Sequence, residues 1–268
     1  MKNKFYSYYL DKPIVKGRVF DVFEPEESTR DIALFFVHGG GWRFGTRAGF
    51  HQFMEIFADN GYYVASTDYR LDAKDAFIQL SDVREAYDAF VTILKERGIE
   101  NPKIAILGES AGAHLAVLIA YAFPGECGEV CNLKNEWIAP SLAVLQAPPI
   151  DFCPYEAIMN STRAMLEDIA GAKYEDAPEI FERLSPKSYV RSTNPPTFFI
   201  EAEREHLFPS KDTLAVCRAH REMGIRSEWR VYEAMEHGFL FELRRRAQKD
   251  AFADVCAFLE GGLTTELP

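Results

Sequence analysis

The 268-residue chain is short of several things. No run approaches the roughly twenty consecutive apolar residues of a membrane-spanning helix. Residues 1–10 carry two lysines, and Tyr6, Ser7, Tyr8 and Tyr9 break up their apolar character, so neither a secretory signal core nor a cleavage site is expected there. Positive charge is scarce: 30 lysines and arginines stand against 41 aspartates and glutamates, a formal net charge of −11. That balance repels phosphate backbones and anionic lipid surfaces, so neither nucleic acid nor a membrane is expected as a partner. The one basic cluster, Arg244-Arg245-Arg246, stands among Glu242, Gln248, Lys249 and Asp250 and reads as a solvated helix face. Cysteine is sparse and odd in number, at positions 127, 131, 153, 217 and 256. Such irregular spacing fits reduced thiols in a cytoplasmic protein rather than a disulfide framework. Cys127 and Cys131 lack the second cysteine or histidine pair that a structural zinc site needs, and no metal or cofactor is expected. Low-complexity tracts and internal repeats are missing too.

What remains is an ordinary globular composition, 47% hydrophobic and 26% charged. A chain of this length buries about three quarters of its unfolded surface. Apolar, β-rich runs alternate with helical patterns throughout, which predicts one α/β domain over residues 1–268: a mainly parallel central sheet with helices on both faces. The strands are expected near 17–24, 31–37, 62–67, 103–108, 141–146, 196–202 and 227–232. Helical spacing covers 50–60, 80–97, 111–122, 211–223 and 243–259, and Gly61, Gly98 and Gly224 supply left-handed caps. Residues 151–194 break the rhythm, being helical and polar without an obvious strand. They are expected to form a small helical cap or lid, folded over the sheet edge.

Gly108-Glu109-Ser110-Ala111-Gly112 follows the apolar run Lys103 to Leu107 and leads into the helical pattern from Ala113. A strand, a sharp turn and a helix in that order hold a nucleophile clear of a sheet, and glycines flank it because a Cβ there would strike its neighbours. Serine needs a histidine within hydrogen-bond reach, itself oriented by a carboxylate. Of the six histidines, His51, His114 and His220 fall in helical patterns, while His206 and His237 follow strands. His237 is the best placed, with Gly238 giving its loop freedom to reach the turn. The carboxylate is expected after the strand that ends near Ala202; Glu205 is the first choice, with Glu201 and Glu203 as alternatives. His38-Gly39-Gly40-Gly41-Trp42 follows another apolar strand. Consecutive glycines let successive amides point into one concavity, as a developing oxyanion requires, and the Ala111 amide would join them. A flexible turn and a phosphate cradle are the other readings, although no Lys-Ser or Lys-Thr pair follows.

Taken together, these pieces resemble the α/β-hydrolase fold, and in particular the hormone-sensitive-lipase-like esterases and the neighbouring acetyl- and feruloyl-esterase-like group. His-Gly-Gly-Gly-Trp at 38–42, Gly-Glu-Ser-Ala-Gly-Ala-His-Leu-Ala at 108–116 and Asp68-Tyr69-Arg70-Leu71 carry the resemblance, which spans residues 31 to about 260. It implies a serine carboxylesterase that forms an acyl-enzyme on short acyl or aryl esters, including acetyl or feruloyl esters of plant carbohydrate. Amide cleavage on the same fold is the rival, and a ligand-binding protein without chemistry a weaker one. By the same resemblance Ser110 is the nucleophile, His237 the base and then the acid, and Glu205 the orienting carboxylate. The amides of Gly40, Gly41 and Ala111 form the oxyanion hole. Ala202 and Glu205 stand where the family usually has glycine and aspartate. The segment before the first strand is short, which leaves the pocket roof to 151–194. Trp42 and Phe152 are expected to contact substrate, with Phe44, Tyr155 and Met159 as further candidates for the pocket wall. The partner is then a small-molecule ester.

Overall fold

A computed structural model describes residues 3–154 and 158–268. Eight strands form one sheet: β1 (Asn3–Tyr9), β2 (Val19–Pro25), β3 (Ile32–Val37), β4 (Val64–Thr67), β5 (Lys103–Glu109), β6 (Leu142–Gln146), β7 (Thr197–Arg204) and β8 (Ser227–Glu236). Their lateral order is β1-β2-β4-β3-β5-β6-β7-β8. The pairs β1/β2 and β2/β4 are antiparallel and all the others are parallel. This is the mainly parallel sheet that the alternating pattern predicts, in the α/β-hydrolase architecture that the motif resemblance implies.

The central strands are buried on both faces, and their alternate side chains feed two separate cores. In β3, Ala33, Phe35 and Val37 join one core while Leu34 and Phe36 join the other, as the two-residue period of a strand dictates. The first core packs under α2 (Ala76–Glu96) and α3 (Ala111–Tyr121), the second under α1 (His51–Asp59) and α7 (Arg246–Leu259). All eleven residues of α3 are buried, which suits a helix that is apolar all round. α6 (Ser210–Glu222) lies against β7 and β8.

Three differences from the sequence reading have physical causes. β1 was not foreseen because Phe5, Tyr6, Tyr8 and Tyr9 do not alternate with polar residues. Most of the strand is exposed, and its pairing with β2, from Asn3↔Pro25 to Tyr9↔Val19, defines it. α2 starts four residues before Leu80, because the Asp75 carboxylate accepts from the Phe77 and Ile78 amides at 2.8 and 3.2 Å and caps the helix there. The described part of the segment 151–194 contains α4 (Asn160–Ala170), α5 (Pro178–Leu184) and a 3-10 turn at Pro186–Tyr189. It joins β6 and β7, which are neighbours inside the sheet. Its two ends thus leave and re-enter the interior of the sheet rather than a lateral edge.

Candidate active site

The site forms where β3, β5, β7 and β8 end. After β5 the chain turns sharply into α3 with Ser110 at the bend, at φ 53° and ψ −122°, a strained conformation for a residue with a Cβ. The turn is pinned from both sides. The Ser110 amide donates to the Gln146 carbonyl and the His114 amide to the Ser110 carbonyl, each at 2.9 Å. A Cβ on Gly108 would lie 2.6 Å from the Gly112 carbonyl oxygen, and one on Gly112 would lie 2.2 Å from that of Val37. Both glycines are steric necessities of the tight turn.

Residues from two further loops meet Ser110. His237 follows β8, and Gly238 after it takes a left-handed conformation. His237 Nε2 lies 2.7 Å from Ser110 Oγ, and Nδ1 lies 2.6 Å from Glu205 Oε2. The other Glu205 oxygen accepts from the amides of His206, Leu207 and Phe208 at 3.0, 2.8 and 3.3 Å. Burial alone would raise the Glu205 carboxyl. The His237 hydrogen bond and charge, with the Leu207 and Phe208 amides, outweigh it and hold the group below its ordinary value. It is thus a fixed anion aimed at one imidazole nitrogen.

The two alternative acids lie elsewhere. Glu201 is fully buried against α6, accepts from the Thr213 hydroxyl at 2.6 Å, and is pushed up to about 8 by burial. Glu203 accepts from the Ala234 amide at 2.8 Å. Side-chain chemistry does not separate the three glutamates; the backbone path after β7 does.

The loop after β3 supplies the glycines. Gly40 and Gly41 have φ of 113° and 59°, and the Gly40 carbonyl accepts from the Arg43 and Phe44 amides at 3.1 and 2.9 Å, which closes the turn. Tyr69 secures its base: the phenol donates to the His38 carbonyl at 2.9 Å and the ring stacks on the His38 imidazole at 4.4 Å. Ala111 is the buried first residue of α3, at the end of the helix where amides and dipole favour negative charge.

Ser110, His237, Gly40 and Gly41 line a cavity of about 870 Å³. Arg43, Phe44 and Leu207 complete one side, and Ser161, Ala164, Met165 and Asp168 of α4 complete the other. An ion pair between Arg43 and Asp168 ties α4 to the glycine loop. Met165 packs against the loop itself, with Sδ 3.2 Å from where a Gly41 Cβ would stand.

Trp42 and Phe152 correct the sequence reading, because both are fully buried and neither lines the cavity. The Trp42 indole donates to His114 Nδ1 at 3.3 Å, and the Phe152 ring stacks on His114 at 4.4 Å. They are packing beneath the site: large rings are most stable where both faces are covered. Phe44 does line the cavity and is 73% exposed. Met159 is exposed but outside the lining, and Tyr155 lies outside the described residues. The contribution of α4 was not foreseen residue by residue, since its amphipathic pattern marks only the face turned to the core. Among the described residues, no group of three His, Cys, Asp or Glu side chains is arranged to hold a metal ion, and no helix is long and apolar enough to cross a membrane.

Comparison with known proteins agrees with this geometry. Esterase LipQ of Mycobacterium tuberculosis is 28% identical over 202 residues, 73% of this chain and 47% of that protein. Arylacetamide deacetylase of Oryctolagus cuniculus is 34% identical over 133 residues, 46% of this chain and 33% of that protein. The chain thus spans half or less of the length of these curated relatives. Among solved structures, esterase B from Lactobacillus Rhamnosis superposes with a TM-score of 0.76 at 16% identity, covering 97% of this chain and 86% of that one. Thermogutta terrifontis esterase 2, solved phosphonylated by sarin, superposes with a TM-score of 0.75 at 20% identity, covering 99% of this chain and 98% of that one. The BD-FAE family model matches residues 20–218, a span that includes the glycine loop, the serine turn and α4, and the chain, an α/β-hydrolase by fold, belongs to the BD-FAE family.

Proposed function

We propose that this chain is a serine carboxylesterase. The observation that carries the reading is the continuous relay from Glu205 through His237 to Ser110 Oγ, at 2.6 and 2.7 Å, opening into a cavity lined by Gly40 and Gly41. In this reading His237 Nε2 takes the Ser110 proton as Oγ bonds to the ester carbonyl carbon. The carbonyl oxygen becomes an oxyanion held by the amides of Gly40, Gly41 and Ala111. Each such donor is typically worth about 2.7–4 kcal/mol in the transition state. The C–O bond then breaks, the alcohol leaves with the proton from His237, and an acyl group remains on Ser110. Water, deprotonated by the same imidazole, releases the acid and restores the serine.

Short acyl or aryl esters are the substrates proposed, with acetyl or feruloyl groups on plant carbohydrate among them. Support comes from the cavity, where Met165 stands against Gly41 and the exposed Phe44 lies in the wall beside Ser110 and His237. The five free cysteines support a reducing, cytoplasmic setting. A second reading, amide cleavage, draws on the likeness to a protein named arylacetamide deacetylase.

The test is hydrolysis of p-nitrophenyl esters from acetyl to long chains, with methyl ferulate, acetylated xylan and a matched anilide alongside, by wild type and Ser110→Ala. Turnover of short esters by wild type alone supports the proposal. Faster anilide than ester cleavage favours the second reading, and equal turnover by both proteins rules out Ser110 chemistry.

A further inference from the structure

Glu109 stands immediately before Ser110, yet the relay of Ser110, His237 and Glu205 makes no use of it. It ends β5, is 7% exposed, and its carboxyl sits between two loops that must act together. A Cβ on Gly39 would lie 1.9 Å from one carboxylate oxygen, and a Cβ on Gly238 would lie 2.7 Å from the other. Gly39 opens the oxyanion loop and Gly238 follows His237. The Gly39 backbone also hydrogen-bonds the carboxyl. On one side Glu109 lines the active-site cavity, and on the other a small apolar cavity walled by Phe36, Phe50 and Leu107. Two separate loops thus forgo a Cβ to seat one carboxyl. An apolar side chain would fill that space without leaving an acid beside a histidine.

We infer that Glu109 is a positioning residue: it clasps the oxyanion loop to the histidine loop across Ser110, and its ionised form supplies a second counter-charge for the imidazolium that forms at His237. This inference rests on the serine-esterase reading above. The titratable groups that face the carboxyl are His237 and Glu205, from the loops after β8 and β7, and the Tyr69 phenol after β4. Burial is the largest influence and pushes the carboxyl up to about 7; the His237 charge and the Gly39 backbone draw it down, and the Glu205 charge raises it. Near neutral pH both forms are therefore present. Ionisation places a negative charge where His237 turns positive, so activity gains as pH rises through this range. Because Glu109 and His237 interact, the steps belong to the pair rather than to either group.

The test measures kcat and KM for p-nitrophenyl acetate from about pH 5 to 9 with wild type, Glu109→Gln and Glu109→Asp, each checked for folding by circular dichroism. The glutamine amide oxygen still accepts from Gly39, so Glu109→Gln should fold, keep KM within about twofold, and lose about tenfold in kcat at alkaline pH, with a smaller loss at acid pH. Glu109→Asp, shorter but ionisable, should restore part of the pH dependence. A uniform loss at every pH, or a profile identical to wild type, overturns the inference and reduces Glu109 to packing. Should Glu109→Gln not fold, Gly39→Ala, whose Cβ displaces the carboxyl, must show the same altered pH profile; a wild-type profile there also overturns it. A wild type that neither hydrolyses the ester nor takes a phosphonate on Ser110 removes the esterase reading and this inference together. A labelled, active wild type with an unaltered Glu109→Gln profile removes this inference alone.

Discussion

The indole of Trp42 donates to His114 Nδ1 across 3.3 Å, although the two residues belong to the glycine loop and to α3 and are 72 positions apart. With Nδ1 accepting, Nε2 carries the proton and bonds the Leu184 carbonyl at 2.7 Å, so one neutral ring ties the glycine loop to the end of α5. Burial, the dominant influence, drives His114 down to about 4. Trp42→Phe keeps the packing but leaves a buried acceptor unpaired, and is expected to cost about 1–3 kcal/mol. Urea unfolding at neutral pH measures it. A variant as stable as wild type would mean that the bond contributes nothing.

Glu205→Gln is expected to lower kcat by three to four orders of magnitude, roughly the loss seen when a triad carboxylate becomes an amide. Glu203→Gln should stay near wild type, because its carboxylate meets the Ala234 amide and not the imidazole. Steady-state ester hydrolysis by the two variants decides between the glutamates. A reversed order assigns the acid to residue 203.

Ser110→Gly should abolish turnover and stabilise the fold. The left-handed φ of 53° strains any residue with a Cβ, and such strain costs about 1–3 kcal/mol, part of which glycine's greater unfolded-state entropy takes back. Thermal unfolding of Ser110→Gly beside Ser110→Ala isolates the backbone effect. An alanine variant as stable as the glycine one would argue against stored strain.

Glu201 makes a prediction about pH. Burial raises its carboxyl to about 8 in the folded chain, so folding favours the protonated form. Its contribution is fully present below the ordinary carboxylate range and is lost as pH rises through about 8. Glu109, raised to about 7, acts in the same direction. Glu201→Gln retains an acceptor for Thr213 and cannot ionise, so between the ordinary carboxylate range and about pH 8 its unfolding free energy should fall less than that of wild type. Parallel slopes for the two proteins would contradict the assignment.

Met165→Ala should shift the acyl preference toward longer chains, with about a tenfold gain for hexanoyl relative to acetyl esters, the order expected when a pocket wall recedes by a few methylenes. The p-nitrophenyl series gives the ratio. An unchanged ratio would place the acyl chain away from α4.

Much of the framework was legible in advance because it depends on local periodicity. Strand, turn and helix around Ser110 follow from an apolar run, two glycines and a second apolar run, each within a few residues. The edge strand β1 escaped because it is held by its partner β2 and not by its own pattern. Trp42 and Phe152 were misplaced for a related reason: an aromatic ring beside a motif looks alike in sequence whether it lines a cavity or supports its floor.

The sequence by itself determined the α/β order, the strained serine and the glycine turn, since each rests on backbone sterics among close neighbours. Tertiary structure alone decided which of three glutamates meets His237, which side of the cavity α4 supplies, and that Glu109 seats against Gly39 and Gly238. Those contacts join residues tens to more than a hundred positions apart, and their energies depend on distances of a few ångströms that only the packed sheet and its loops establish.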